Sequence, residues 1–252
     1  MFRNLLWFLL LTVLLTRCGA PSREGQFTIA TLKGPSSMGM IRLIDSLNRD
    51  ARSRVKVEIL NEPLQVRKMM IDETAGFAIL PSTIAAIVYN KGMNYRLVAV
   101  PVWGTLYLVG SDTTVTGWND LTGKRVYVMA RGMTPDILFR YLLYKNGLEP
   151  AKEVTIDYSF PTHIDLAQAV RAGKASLAVL SEPQASLVLR DNISMRRIFS
   201  LDEEWKHFEG TPLAETAFMA RNEILENHPD LVEQLMGSYA YSTEWVKAHP
   251  DS

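Results

Sequence analysis

Apolar positions along the chain recur at two different spacings, in alternation. Phe27–Leu32 (FTIATL), Val55–Leu60 (VKVEIL) and Phe77–Leu80 (FAIL) are short β-rich runs. The segments between them, Met38–Asn48 and Gln65–Asp72, place apolar residues at helical intervals, for example Met40, Ile41, Leu43, Ile44 and Leu47. Pro81-Ser82-Thr83 leads into a predicted helix over Ile84–Asn90, which Lys91-Gly92 ends. Two further β-rich runs, Leu97–Val102 and Thr105–Val109, flank Trp103-Gly104. Alternation then resumes with predicted strands at Arg125–Ala130, Val154–Ser159 and Leu177–Leu180 and helices at Pro135–Asn146, His163–Ala172 and Pro183–Arg190. Thr134 and Gly147 punctuate the first of those helices as cap and stop. A last strand, Ala217–Ala220, precedes helices at Glu223–Asn227 and Leu231–Ala248, separated by Pro229. This order predicts an α/β protein whose mostly parallel sheets are flanked by helices.

The pattern also repeats. The strand at Phe27, then Lys33-Gly34 and a Ser-initiated helix, is echoed by the strand at Arg125, then Arg131-Gly132 and a Thr-initiated helix, with Gly34 and Gly132 98 positions apart. Phe77-Ala78-Ile79-Leu80-Pro81-Ser82 is echoed 100 positions later by Leu177-Ala178-Val179-Leu180-Ser181-Glu182. Two echoes at nearly the same offset predict two similar lobes, with Leu97–Val109 as the crossover.

The N-terminus follows another logic. Met1 and Arg3 precede Leu5–Leu15, an apolar run broken only by Thr12. A membrane-spanning helix needs about 20 apolar residues, so a run of this length predicts a signal-peptide core within residues 1–17. The lone cysteine, Cys18, stands where a bacterial lipoprotein signal carries its lipidated residue, although Arg17 departs from the small residue that pattern favours. A cut after Ala20 is disfavoured by Pro21. Residues 18–26 read as a short polar tether.

Composition narrows the classes. Of 252 residues, 47% are hydrophobic, which excludes a disordered chain. Lys+Arg and Asp+Glu both number 27, and loss of Arg3 and Arg17 with the signal leaves 25 basic groups, so the basic excess of a nucleic-acid binder is missing. One cysteine permits no internal disulfide and no Cys-rich zinc site, and His163, His207, His228 and His249 show no metal-ligand spacing. No metal and no cofactor are expected.

Ligands of open α/β sheets sit beyond the carboxyl ends of the strands. There the sequence puts Gly34, Pro35, Ser36 and Ser37, then Pro81, Ser82 and Thr83, then Gly132, Met133 and Thr134, then Ser181 and Glu182. Glycines let backbone approach a ligand, and helix starts favour hydrogen-bond acceptors or anions; the same serines and threonines also serve as ordinary caps. Trp103 is a stacking candidate or a core residue, and Arg131 is an anion partner or a surface residue. Glu182 is an amine partner or a stabiliser of its own helix. Arg131 and Glu182 pull the ligand's charge in opposite directions, which leaves anion and zwitterion open. His163, at a helix start after Pro161-Thr162, is the one histidine placed near such a cleft, with a capping or surface role expected.

The segments KGPSSMGM, FAILPSTIA, LTGKRVYVMARGMTPDILFRYLLYKNGL and LAQAVRAGKASLAVLSEPQASL resemble solute-binding proteins of bacterial ABC importers. The group they are most similar to includes nitrate, sulfonate, taurine and thiamine-precursor binders, and the resemblance runs over roughly Phe27 to Pro250. It implies a two-lobed type II periplasmic-binding fold that closes on ligand like a hinge, with residues 27–103 plus 213–252 as one lobe and 104–212 as the other. The four turns above match the family's ligand loops, and Trp103 lies where the first crossing segment begins. The resemblance further implies an exported, lipid-anchored monomer that captures a small polar molecule, anionic or heteroaromatic, and works with a membrane permease and its ATPase. Members continue for some tens of residues past a segment like Glu244–Pro250, so the first lobe is expected to lack a helix or two. Two alternatives are an extracellular sensor or adaptor module and an enzyme on the same scaffold. A related pyrimidine synthase carries a cysteine-rich stretch that this chain lacks.

Overall fold

A computed structural model describes residues 25–249. The predicted signal segment, Cys18 and most of the tether lie outside the described residues. The first half contains β1 (Phe27–Leu32), α1 (Pro35–Gly39), α2 (Ile41–Arg49), β2 (Val55–Leu60), α3 (Pro63–Ile71), β3 (Phe77–Pro81), α4 (Ser82–Asn90) and β4 (Tyr95–Trp103). There follow β5 (Leu106–Gly110), a 3-10 turn (Trp118–Leu121), β6 (Arg125–Val128), α5 (Thr134–Lys145), β7 (Thr155–Asp157), α6 (His163–Arg171), β8 (Leu177–Ser181) and α7 (Gln184–Asp191). The chain closes with β9 (Arg196–Ser200), α8 (Leu201–Glu209), β10 (Ala214–Arg221), α9 (Asn222–Asn227) and α10 (Pro229–Ala248).

The strands form two five-stranded sheets, β2-β1-β3-β10-β4 and β7-β6-β8-β5-β9. Each places three parallel strands beside an antiparallel one, β10 in the first and β5 in the second, so the sheets are mixed though mostly parallel. The repeat is therefore topological: β1, β2 and β3 correspond to β6, β7 and β8. The strand that completes each set of four comes from elsewhere. β10 returns from the far end of the chain to enter the first sheet.

Both faces of the first sheet are covered. Ala30, Ala78, Leu80, Ala217 and Met219 pack with α3 and α4 on one side, and Ile29, Phe77, Ile79 and Phe218 pack with α2 and α10 on the other. Such two-sided burial explains why these strands read as nearly unbroken apolar runs. The second sheet shares one core with α5, α6, α7 and α8, including Val126, Val128, Phe139, Leu142, Val179 and Leu180.

Several elements depart from the sequence reading. β6 stops at Val128 rather than Ala130, because Ala130 adopts a left-handed φ of 51°. β7 is only three residues long, since the Asp157 carboxylate accepts from the Ser159 amide (2.8 Å) and turns the chain. β9 and α8 were not anticipated; Arg196 and Arg197 broke the apolar pattern of the strand. For α8 the signal was there. Ser200 caps the helix by accepting from the Glu203 amide, three acids fill its first turn and Gly210 closes it in the left-handed conformation.

Candidate functional site

The four loops singled out in the sequence all lie at carboxyl ends of parallel strands, after β1, β3, β6 and β8. Two of them meet directly. The hydroxyls of Thr83, at the start of α4, and Thr134, at the start of α5, stand 3.3 Å apart, one from each half of the repeat. Met133, the residue before Thr134, packs against the first-sheet cluster that contains Leu80, Ile84 and Ala85. The space between the sheets is thus bounded by helix starts that touch across it.

Its base is a hydrogen-bonded strip connecting the two sheets. Ser82 Oγ donates to the carbonyls of Ala214 (2.6 Å) and Glu215 (3.1 Å). The Glu215 carboxylate accepts from the Thr105 amide (2.7 Å) and hydroxyl (2.8 Å). Thr105 O in turn accepts from the Glu182 amide (3.0 Å). The second crossing segment joins in, as the Gly104 amide donates to Leu213 O (3.1 Å) and the Leu213 amide to Asp202 Oδ1 (2.8 Å). Gly104 has to be glycine: its φ is 38°, and a Cβ there would lie 2.0 Å from Asp202 Cγ. Sequence patterning pointed to none of Thr105, Asp202 or Glu215, because acceptor and donor are 110 residues apart.

Glu215 keeps some solvent access as a residue, while protein closely surrounds its carboxylate, as at the bottom of a crevice. Burial therefore pushes its pKa up, with the nearby Asp202 charge acting in the same direction and the Thr105 hydrogen bonds opposing both. Glu215 forms no ion pair among the described residues.

The remaining candidates divide into occupied and accessible groups. The Gly34 amide is taken by Ser37 Oγ (3.1 Å), which also donates to Gly34 O (3.0 Å). Pro35 opens α1, and buried Ser36 offers its carbonyl to Tyr239 OH (3.2 Å). The Gly132 amide donates to Asp136 Oδ2 (2.8 Å), and Tyr158 OH to Asp136 Oδ1 (2.7 Å). Both glycine turns thus satisfy their own amides, though a Cβ at either position would meet open space. Arg131 lies exposed with its guanidinium 5.0 Å from the Tyr158 ring centre. Pro81 precedes α4 as its cap residue without a side-chain cap bond. Glu182 accepts from Ser186 (3.1 and 2.9 Å) and pairs with Arg197 (3.3 Å), so it stabilises its own helix start. Trp103 is 52% exposed at the end of β4 opposite Ala214, so it is not a core tryptophan. Ser181 is buried and its Oγ sits 2.7 Å from His163 Nδ1.

A cavity of about 600 Å³ lies elsewhere, between α2 and α10 on the outside of the first half, and is lined by Arg42, Asp45, Arg49 and Tyr241. Its arginines are already paired with Asp45, at 3.4 and 3.0 Å, and it holds none of the strand-end turns. Among the described residues no group of three or more His, Cys, Asp or Glu is placed to hold a metal ion. No described helix is long and apolar enough to cross a membrane.

Two mixed α/β halves, joined by crossing segments and facing each other through their strand-end turns, define the periplasmic-binding-protein class. The pattern of the NMT1/THI5-like family matches residues 52–252, and the chain belongs to that family. YtlA, a candidate binding protein of Bacillus subtilis (strain 168), is 26% identical over 150 residues, which are 58% of this chain and 42% of YtlA. The chain thus matches less than half the length of that relative. An ABC transporter protein from Parabacteroides distasonis superposes with a TM-score of 0.69 at 27% identity, over 90% of this chain and 79% of that one. The periplasmic aliphatic sulphonate binding protein SsuA from Escherichia coli gives a TM-score of 0.72 at 13% identity, over 90% and 71% of the two chains, and shares the fold.

Proposed function

We propose that this chain is the extracytoplasmic solute-binding component of an ABC importer. It captures a small polar ligand between its two halves and hands it to a membrane permease driven by an ATPase. The observation that carries this reading is the meeting of Thr83 and Thr134 across the two sheets, together with the Ser82–Glu215–Thr105–Glu182 strip that also links them. Such a space between two lobes is the usual place for a small ligand, and two crossing strands let the lobes hinge. Binding then needs no covalent chemistry, and the protein works as a monomer without a cofactor. Export follows from the N-terminal apolar run, and lipidation at Cys18 would hold the protein at the membrane.

The self-satisfied amides at Gly34 and Gly132 shift recognition to side chains: the Thr83 and Thr134 hydroxyls, the Trp103 face and the exposed Arg131. SsuA is named for aliphatic sulphonates and the Synechocystis protein NrtA for nitrate, so anions belong in the first screen beside neutral heterocycles and amines. Mass spectrometry of material released from the natively purified protein should reveal one bound small molecule. Adding it back should raise the melting temperature saturably, by about 2.7 kcal/mol of stabilisation at 100 times Kd. No bound molecule and no response to a broad panel would favour the adaptor reading. Cys18→Ala should abolish membrane association of the exported protein; unchanged fractionation would remove the lipid anchor.

A further inference from the structure

His163 opens α6 at the same end of the second sheet as Thr134 and Ser181. It is not needed as a cap, because Thr162 already fills that role by accepting from the Asp165 amide (3.1 Å). Its Nδ1 lies 2.7 Å from Ser181 Oγ, and Ser181, the last residue of β8, is 4% exposed and locked opposite Leu106 of β5. A buried hydroxyl on a rigid strand therefore fixes the ring, and Nε2 has no partner among the described residues. The residue as a whole keeps solvent exposure, yet protein surrounds the ring densely enough that burial pulls its pKa down, as in a crevice rather than on an open face. The positive end of α6 also disfavours an imidazolium there. No ion pair involves it among the described residues; Glu182, the acid beside Ser181, is engaged by Arg197.

We infer that His163, oriented by Ser181, is a ligand-contacting residue that sets specificity, its Nε2 engaging an uncharged hydrogen-bonding group such as a ring nitrogen, carbonyl or hydroxyl. The inference rests on the solute-binding reading. A neutral imidazole carries one donor and one acceptor. When Ser181 donates to Nδ1, Nε2–H is a donor; when Ser181 accepts, Nε2 is an acceptor. The serine thus lets one side chain serve either kind of ligand group. An anion finds no positive charge at this position unless it brings a proton to the ring.

The test uses the full chain with nicotinamide, cytosine and inositol as uncharged probes and ethanesulfonate and nitrate as anions, read by thermal shift and calorimetry. At least one uncharged probe should bind saturably. His163→Ala should weaken it at least tenfold, His163→Gln should restore part of that loss, and Ser181→Ala should give a smaller loss and shift the ring-nitrogen NMR resonances of His163. Unliganded melting of the His163 variants at pH 7.5 should stay near that of the parent, which separates contact from folding. Binding kept within twofold in His163→Ala, or stabilisation by anions alone, overturns the inference. If Trp103→Ala abolishes binding while His163→Ala does not, the importer reading stands and His163 is removed from the site. If no probe stabilises the parent chain, the inference falls, and a bound molecule found by mass spectrometry would still uphold the importer reading.

Discussion

At the scale of single residues, two groups, Glu215 and His163, respond to pH in opposite directions. Glu215 has a raised pKa, so the folded chain holds its proton more tightly than the unfolded chain. Its contribution is fully present below the ordinary glutamate pKa and is lost as pH rises through the folded value. Glu215→Gln removes that slope, so the melting temperature of the variant should gain on the parent as pH rises from 4 to 7.5; a constant difference would show that the carboxylate is not desolvated. His163 works the other way. Its pKa is lowered by burial, so folding favours the neutral ring, and stability is lost as pH falls below about 6.5 toward the folded value. His163→Gln should flatten the parent's acid-side decline below pH 6.5 in the same melts. At Gly104 the constraint is steric: an added Cβ meets Asp202 and the backbone is left-handed. Gly104→Ala should cost about 3 kcal/mol by chemical denaturation, whereas alanine at Gly132, also left-handed but with open space around it, should cost about 1 kcal/mol.

At the scale of elements, α10 does more than cover the first sheet. Three of its side chains hold the short helices that follow β1: Tyr239 OH donates to Ser36 O, Ser242 Oγ accepts from the Arg42 amide (3.1 Å) and Thr243 Oγ1 approaches Gly39 O (3.5 Å). Ser242 is fully buried and supplies from 200 residues away the cap that α2 lacks in its own sequence. Ser242→Ala should therefore cost about 1 kcal/mol, and faster hydrogen exchange should appear at residues 40–44 rather than within α10. The apolar runs of β1, β3 and β8 and the proline in the first turn of α5 were legible, because burial on both faces and a fixed φ write directly into neighbouring residues. Thr134, however, is the first residue of α5 rather than its cap, and Met133 holds the cap position without a side-chain bond. The break at Met40 that divides the expected Ser-initiated helix into α1 and α2 was not legible, since its bracing comes from α10.

At the scale of the whole molecule, the two halves meet at Thr83 and Thr134 and where Met133 packs on the first-sheet cluster, as well as through the crossing segments. The Thr83–Thr134 contact places two side chains within bonding reach of a cross-link. A Thr83→Cys, Thr134→Cys pair should oxidise to an intramolecular disulfide that locks the lobes together. Ligand uptake by the oxidised protein should fall and should recover on reduction. Failure to form the bridge would mean that the lobes do not approach at this point.

Residue spacing by itself determined the α/β class, the duplicated unit and the turns at the strand ends, because strand and helix periods and turn residues are local properties. It did not decide how those turns would be used. Gly34 and Gly132 resemble open anion loops in sequence, but folding brings Ser37 and Asp136 back onto their amides. Ser82 and Glu182 resemble ligand groups, but they are tied into the base of the cleft and a helix start. His163 reads as a cap or a surface residue, and only the packing of β8 beside α6 sets it against Ser181. Glu215 belongs to the far end of the chain and reaches Thr105 only because β10 returns to the first sheet. Hydrogen bonds between distant segments depend on the closed topology of the two sheets, which no local pattern specifies.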